Sequence, residues 1–253
     1  ESGLEFISKD GPCFGLGFQV GGRMIFKLAE LYREPIVTAS YSDFARYFYY
    51  PVKGLRVEVF FAVHTSTTAI TEYRFVNESH LPVRFSAIPY LYFPAYDSIN
   101  HFQRLADEVG YSFPIFYKRD AWMREHEIPL AEGVTGSWTL SGCRTLSGST
   151  TFTRQNNPYN NNFSDGSIES LISSMLYQQR NYPYTKGILR WIDYTLEPGN
   201  STSFRAIVHL ANPDQPTIRK YPDHSDKADF DSILKEDENA YSKIPILKFQ
   251  DKN

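Results

Sequence analysis

Large apolar residues recur along most of this chain with a period of two, not 3.6. Leu55 to His64 reads Leu-Arg-Val-Glu-Val-Phe-Phe-Ala-Val-His. Its first half alternates apolar and polar side chains, as a strand with one face in water does. Its second half is more apolar, which predicts cover on both faces. Thr68 to Val76 and Val83 to Phe93 continue the pattern, and Asn77-Glu78-Ser79-His80 separates them as a turn. These three runs, joined by short turns, predict an antiparallel meander. Pro89 lacks an amide donor, so its place in the third run predicts an edge or a bulge. Earlier, Phe14 to Val20 alternates large and small residues and stops at Gly21-Gly22. Asn100 to Val109 predicts a short helix. Further strands are predicted at Tyr111 to Tyr117, Thr135 to Leu140, Thr150 to Thr153 and Ile172 to Gln178. A last pair is predicted at Gly187 to Leu196 and Thr202 to Ala211, joined through Pro198 and Gly199, which suit a tight turn. About ten strands, and no long amphipathic helix before residue 225, predict an all-β chain built as a large antiparallel sandwich. No internal repeat suggests a solenoid or propeller.

The pattern changes near residue 219. Of the 35 residues from Arg219 to Asn253, 15 are charged, against 40 of the preceding 218. Within this tail, Asp229 to Glu236 reads as an amphipathic helical turn or two, and Ile244 to Phe249 as a short extended piece. The expected organisation is a β domain over 1–218 and a charged linker segment over 219–253, leading toward a second domain. The N-terminus carries no signal peptide, and a start at Glu1 reads as a processed product or a piece of something longer. No apolar run is long enough to span a bilayer. Compartment stays open.

Composition narrows the chemistry. The 253 residues carry 26 basic and 29 acidic side chains, a net charge of -3, so nothing draws the chain to nucleic acid. Aromatic residues make up 16%. Tyrosine and phenylalanine favour strands, and exposed rings stack on sugars. Cys13 and Cys143 allow one disulfide and no cysteine-rich zinc site. No Gly-x-Ser-x-Gly, phosphate-loop or His-Glu-x-x-His motif occurs, so neither a metal nor a cofactor is expected.

Two segments resemble a known family. Glu72-Tyr73-Arg74-Phe75-Val76-Asn77-Glu78-Ser79 runs into Leu81-Pro82-Val83-Arg84-Phe85-Ser86, and Leu196-Glu197-Pro198-Gly199-Asn200-Ser201 follows late in the chain. A strand, an Asn turn and a Pro-Val-Arg strand, with a later Leu-x-Pro-Gly-x-Ser turn, resembles the β-supersandwich domain of carbohydrate-active enzymes. That domain is similar in fold to galactose mutarotase. It precedes an (α/α)6 toroid in glucoamylase-like and glycogen-debranching-like glycoside hydrolases and in disaccharide phosphorylases. The resemblance implies that the catalytic acid and base lie in a toroid outside this chain. It also implies that the chain's partners are that catalytic domain and an oligo- or polysaccharide, with no nucleic acid or membrane.

Candidate chemistry on the chain itself is sparse. Asp120-Ala121-Trp122-Met123-Arg124-Glu125-His126 is the richest segment, with acid, base and an aromatic platform in seven residues. Asp120, Trp122, Arg124, Glu125 and His126 are therefore the candidate substrate-binding residues, against a plainer reading as an ordinary charged loop. No residue is assigned as catalytic. His64 and His209 are expected to be structural strand histidines. Trp138 is expected to pack in the core and Trp191 in the core or on an inter-domain surface, and Tyr47 to Tyr50 form an aromatic run open to a sugar or a partner domain. The polar loop from Asn156 to Asp165 reads as a solvated excursion. Two other readings stand beside the scaffold: a stand-alone carbohydrate-binding module and a mutarotase-like sugar epimerase. Asn77, Asn162 and Asn200 head glycosylation sequons, at a frequency that chance supplies.

Overall fold

The computed structural model describes residues 5–6, 13–65, 68–95, 103–104, 110–114, 135–143, 146–155, 184–211 and 229–242. Two antiparallel sheets hold the described strands. The larger has eight strands in the order β4 (Arg33–Ser40), β5 (Phe44–Val52), β6 (Leu55–Thr65), β7 (Thr68–Asn77), β14 (Ser201–Ala211), β11 (Thr135–Ser141), β10 (Gly110–Pro114) and β9 (Gln103–Arg104). The smaller runs β1 (Glu5–Phe6), β2 (Cys13–Val20), β8 (Val83–Ala95), β13 (Tyr184–Leu196) and β12 (Leu146–Gln155), with β3 (Arg23–Ile25) also paired to β2. Among the described residues one α-helix, α1 (Phe230–Ser242), lies in the charged tail. The architecture is the large antiparallel β-sandwich that the period-two pattern predicts. No helix among the described residues is long and apolar enough to cross a membrane.

The inner faces meet in one core. Leu55, Val57 and Val59 of β6, Tyr73 and Phe75 of β7, and Phe204 and Ala206 of β14 join Leu16 and Phe18 of β2, Phe85 and Leu91 of β8, and Ile188 and Ile192 of β13. Each valine, leucine, isoleucine or phenylalanine among them contributes about 1.5–3 kcal/mol on burial. Aromatic rings dominate the contacts. Phe18 meets Phe75 edge-on at 6.3 Å between centroids, and Phe75 meets Phe85 at 5.2 Å. Phe26 leaves no room at the Gly17 position, where a Cβ would lie 2.0 Å from its ring, which explains the small residue in that strand.

The structure corrects four local expectations. First, β6 and β7 are hairpin partners, but β8 leaves them for the other sheet, so the meander is β4-β5-β6-β7. Second, β13 and β14 are not paired either. Their turn also crosses between sheets. Third, Pro89 sits in a central strand. It pairs with Leu16 on the β2 side, while the ladder to β13 lapses between the Tyr90–Leu189 and Ala87–Ile192 pairs. A proline is tolerated where its missing amide has no ladder bond to make. Fourth, Gln103–Arg104 forms a strand rather than part of a helix. Cys13 and Cys143 are both free thiols, and Cys13 is buried.

The two crossings are tied together by one side chain. Asn77, at the end of β7, is fully buried. Its Nδ2 donates to the carbonyls of Leu81 and Leu196, each at 2.8 Å. Its Oδ1 accepts from the amide and hydroxyl of Ser79 at 2.9 and 2.7 Å. Its backbone amide donates to Asn200 O and its carbonyl accepts from Gly199 N. Gly199 adopts φ 75°, which only glycine does without strain. The two segments that carry the family resemblance are therefore neighbours in space, forming paired arches from sheet to sheet.

Candidate functional site

The chemistry of the described residues concentrates on the outer face of the eight-stranded sheet. Register places side chains there in rows. Phe44, Ala62, Ile70 and Ile207 align across β5, β6, β7 and β14. The next row is Arg46, Phe60, Glu72 and Arg205, and the next is Phe48, Glu58, Arg74 and Ser203.

Helix α1 covers the apolar row. Phe230 is buried, 6.4 Å from the Phe44 ring and 5.8 Å from the Phe60 ring. Ile233 and Leu234 pack on the same cluster. This explains why the second half of β6 is apolar on both sides. Asp229 starts the helix: its Oδ1 accepts from the Asp231 amide at 3.1 Å, and its Oδ2 from the Ser232 hydroxyl at 2.8 Å. The Ser232 bonds hold its carboxyl below the usual carboxylate range.

The charged rows form a lattice. Arg56 donates to Glu58 through Nη2 and to Glu78 through Nη1 at 3.2 Å. Arg74 bridges Glu58 at 3.6 Å and Glu72 at 3.2 Å. Arg205 Nε donates to Glu72 at 2.8 Å, while its guanidinium lies 5.2 Å from the Phe230 centroid. Glu58 and Glu72 are buried, so each needs these cations. Carboxylates held this way cross-link the strands electrostatically. On the other side of the apolar row, Thr68 Oγ1 lies 2.9 Å from His209 Nδ1, so His209 has a strand partner, as a strand histidine is expected to have.

The sequence candidates fare unevenly. Asp120, Trp122, Arg124, Glu125 and His126 all lie outside the described residues, as do the 156–165 loop, the 172–178 strand and the 218/219 boundary. Trp138 is buried in the core, and Trp191 is half-buried against the cluster of Cys13, Tyr90 and Leu189. The aromatic run at Tyr47 to Tyr50 is not one platform. Strand alternation sends Tyr47 and Tyr49 inward, stacked at 6.2 Å, and Phe48 and Tyr50 outward. Burial pushes the phenols of Tyr47, Tyr49 and Tyr73 up in pKa. The arginines of β4 and β5 were missed as candidates. The signal was present in Phe44-x-Arg46-x-Phe48-x-Tyr50, where every second residue faces outward.

No family model matches the chain, and no curated protein matches it in sequence. Solved structures match it in part. A heparan sulfate lyase from Pedobacter heparinus is 9% identical, covering 85% of this chain and 26% of that one, with a TM-score of 0.44. A kojibiose phosphorylase from the human microbiome is 9% identical, covering 92% and 25%, with a TM-score of 0.40. A protein assigned as an aldose 1-epimerase from Escherichia coli K12 is 12% identical, covering 77% and 78%, with a TM-score of 0.37. The chain spans about a quarter of the length of the first two. By their names, these neighbours are carbohydrate-active enzymes and a sugar epimerase.

Proposed function

We propose that this chain is a non-catalytic β-sandwich domain of a glycoside hydrolase or related carbohydrate-active enzyme. Residues 1–218 form the sandwich, and 219–253 lead toward an (α/α)6 catalytic domain that the sandwich orients. The observation that carries the reading is the pairing of arches at Asn77. The two segments that resemble the supersandwich family serve one structural purpose together, which an accidental match of short motifs would not predict. The locked state of Glu58 and Glu72 supports the non-catalytic role. So does α1, which packs on the sheet through Phe230, Ile233 and Leu234 and gives the tail a fixed seat.

An immunoblot of the native polypeptide tests the reading. A band tens of kDa above 29.2 kDa is expected. A band at the size of this chain refutes the downstream domain and leaves a free-standing binding module or epimerase. Glycosidase turnover by the isolated 253-residue chain would refute the non-catalytic role. Polarimetry on an aldose checks the epimerase, which requires faster anomer equilibration than in buffer.

A further inference from the structure

Two guanidiniums on the outer sheet face have unspent donors. Arg33, at the start of β4, lies over the Tyr50 ring at 5.6 Å, and Arg46 of β5 lies over the Phe60 ring at 4.9 Å. Among the described residues neither has a carboxylate within ion-pair distance. Between them Arg56 lies over Phe48 at 4.8 Å and is held by Glu58 and Glu78. Alternate residues of a strand are about 6.8 Å apart, so the rank from Arg46 to the Tyr50 position runs about 14 Å along β5.

The stacking sets the chemistry. A guanidinium laid on a ring has lost much of its rotamer freedom before any ligand arrives. Its apolar face is spent on the ring, while its N–H edge is left to fork onto a carboxylate. Acceptors stand beside these donors. Glu78 is 37% exposed and takes bonds from the Tyr50 hydroxyl at 2.9 Å and from Arg56. Alternating donors and acceptors fit a ligand that carries hydroxyls as well as spaced anions. A polyphosphate backbone packs its charge more densely than a uronate chain, so Glu58, Glu78 and the chain's net charge of -3 oppose it more.

We propose that the Arg33–Arg56–Arg46 rank binds an anionic glycan, a chain of hydroxylated sugar rings bearing carboxylates. The inference rests on the carbohydrate reading above and names the glycan class and the surface that meets it. The rank lies beside the α1 seat on the same sheet face, so a bound glycan would run along the side of the sandwich from which the tail departs.

Calorimetric titration of the full 253-residue chain tests this, with oligogalacturonate as the uronate probe. Maltoheptaose, poly-glutamate and a short DNA duplex serve as comparison ligands. Saturable uronate binding is expected, weakening as salt is added. R33Q/R46Q is expected to weaken it about tenfold with an unchanged thermal melt. R33K/R46K keeps the charge but loses the fork, and is expected to fall between the two. No saturable uronate heat, native-like binding by R33Q/R46Q, or tighter binding of poly-glutamate or DNA would overturn the proposal. Binding of maltoheptaose alone would also overturn it while leaving the carbohydrate reading in place. A native polypeptide of 29.2 kDa that still bound uronate would overturn the downstream catalytic domain while leaving this proposal in place.

Discussion

Removing the Asn77 side chain tests the account of the arches most directly. Asn77→Ala deletes four side-chain hydrogen bonds. The two accepted from Ser79 are partly buried, and Ser79 itself is half-buried, so water replaces them in part. The bond to Leu196 O is buried, and its loss orphans a carbonyl, which costs about 1–3 kcal/mol. The bond to Leu81 O is partly buried and adds about 0.5–1.5 kcal/mol. The expected loss is about 3 kcal/mol, a large part of the stability a domain possesses. Urea unfolding followed by tryptophan fluorescence should show it as a lower midpoint with an unchanged slope. Asn77→Asp is the sharper variant. It keeps the shape and the acceptor for Ser79 but points an acceptor at two carbonyls, so it should be at least as damaging as alanine. Ser79→Ala should cost under about 1 kcal/mol. A loss below about 0.5 kcal/mol for Asn77→Ala, or a native-like Asn77→Asp, would refute the claim that this side chain joins the arches.

Four further outcomes follow from the packing and the ionisable groups. Phe230→Ala should release α1 while leaving the sheets intact, read as fast amide exchange confined to 230–242; exchange spread through β6 and β7 would contradict a peripheral helix. Gly17→Ala should cost about 1–3 kcal/mol by collision with Phe26, and Phe26→Leu in the same chain should recover part of it, measured as a coupling in a double-mutant cycle. Tyr47, Tyr49 and Tyr73 stay protonated in the fold but ionise in the unfolded chain near pH 10, so stability should be intact below that pH and fall above it. The slope reaches about 1.4 kcal/mol per pH unit for each tyrosine, checked by urea midpoints from pH 9 to 12. Asp229 has the opposite sign: its depressed folded pKa supports α1 above the ordinary carboxylate range and loses that support in acid, so helical circular dichroism should drop below about pH 4 in the native chain and change less in Asp229→Asn.

The strands were far more legible than their sheets. β6 shows why the local pattern works, since its alternating half faces water and its apolar half lies under α1. The β7–β8 and β13–β14 turns show where that pattern stops. A hairpin and an arch between sheets can have the same length and the same turn residues. Here the choice is made by Asn77 bonding to Leu196, 119 residues away, and no local window contains both. β4 escaped notice because nearly all of it is exposed at the sheet edge, with Glu34 and Pro35 in place of an apolar rhythm. Proline and charge are also what keeps such an edge from pairing with another chain. β5 was hidden by the opposite cause: four consecutive aromatics mask a period of two, although Tyr49 is buried and Phe48 is not.

The outer face unites what the sequence kept apart. Arg205 serves two elements at once, pairing with Glu72 on the sheet and stacking on Phe230 of the tail helix. Glu72 connects through Arg74 to Glu58, and Glu58 through Arg56 to Glu78. A continuous ionic path therefore runs from the seat of α1 to the arginine rank over β5. Single exposed pairs contribute little to stability, but Glu58 and Glu72 are buried, and losing one cation would leave a carboxylate uncompensated. Arg205→Ala should consequently loosen α1 and unsettle Glu72 together, whereas Phe230→Ala should loosen the helix alone. Amide exchange read at α1 and at the β7–β14 ladder separates the two. Native-like protection of α1 in Arg205→Ala would mean that the helix is seated by its apolar residues only and that the ionic path ends at Glu72.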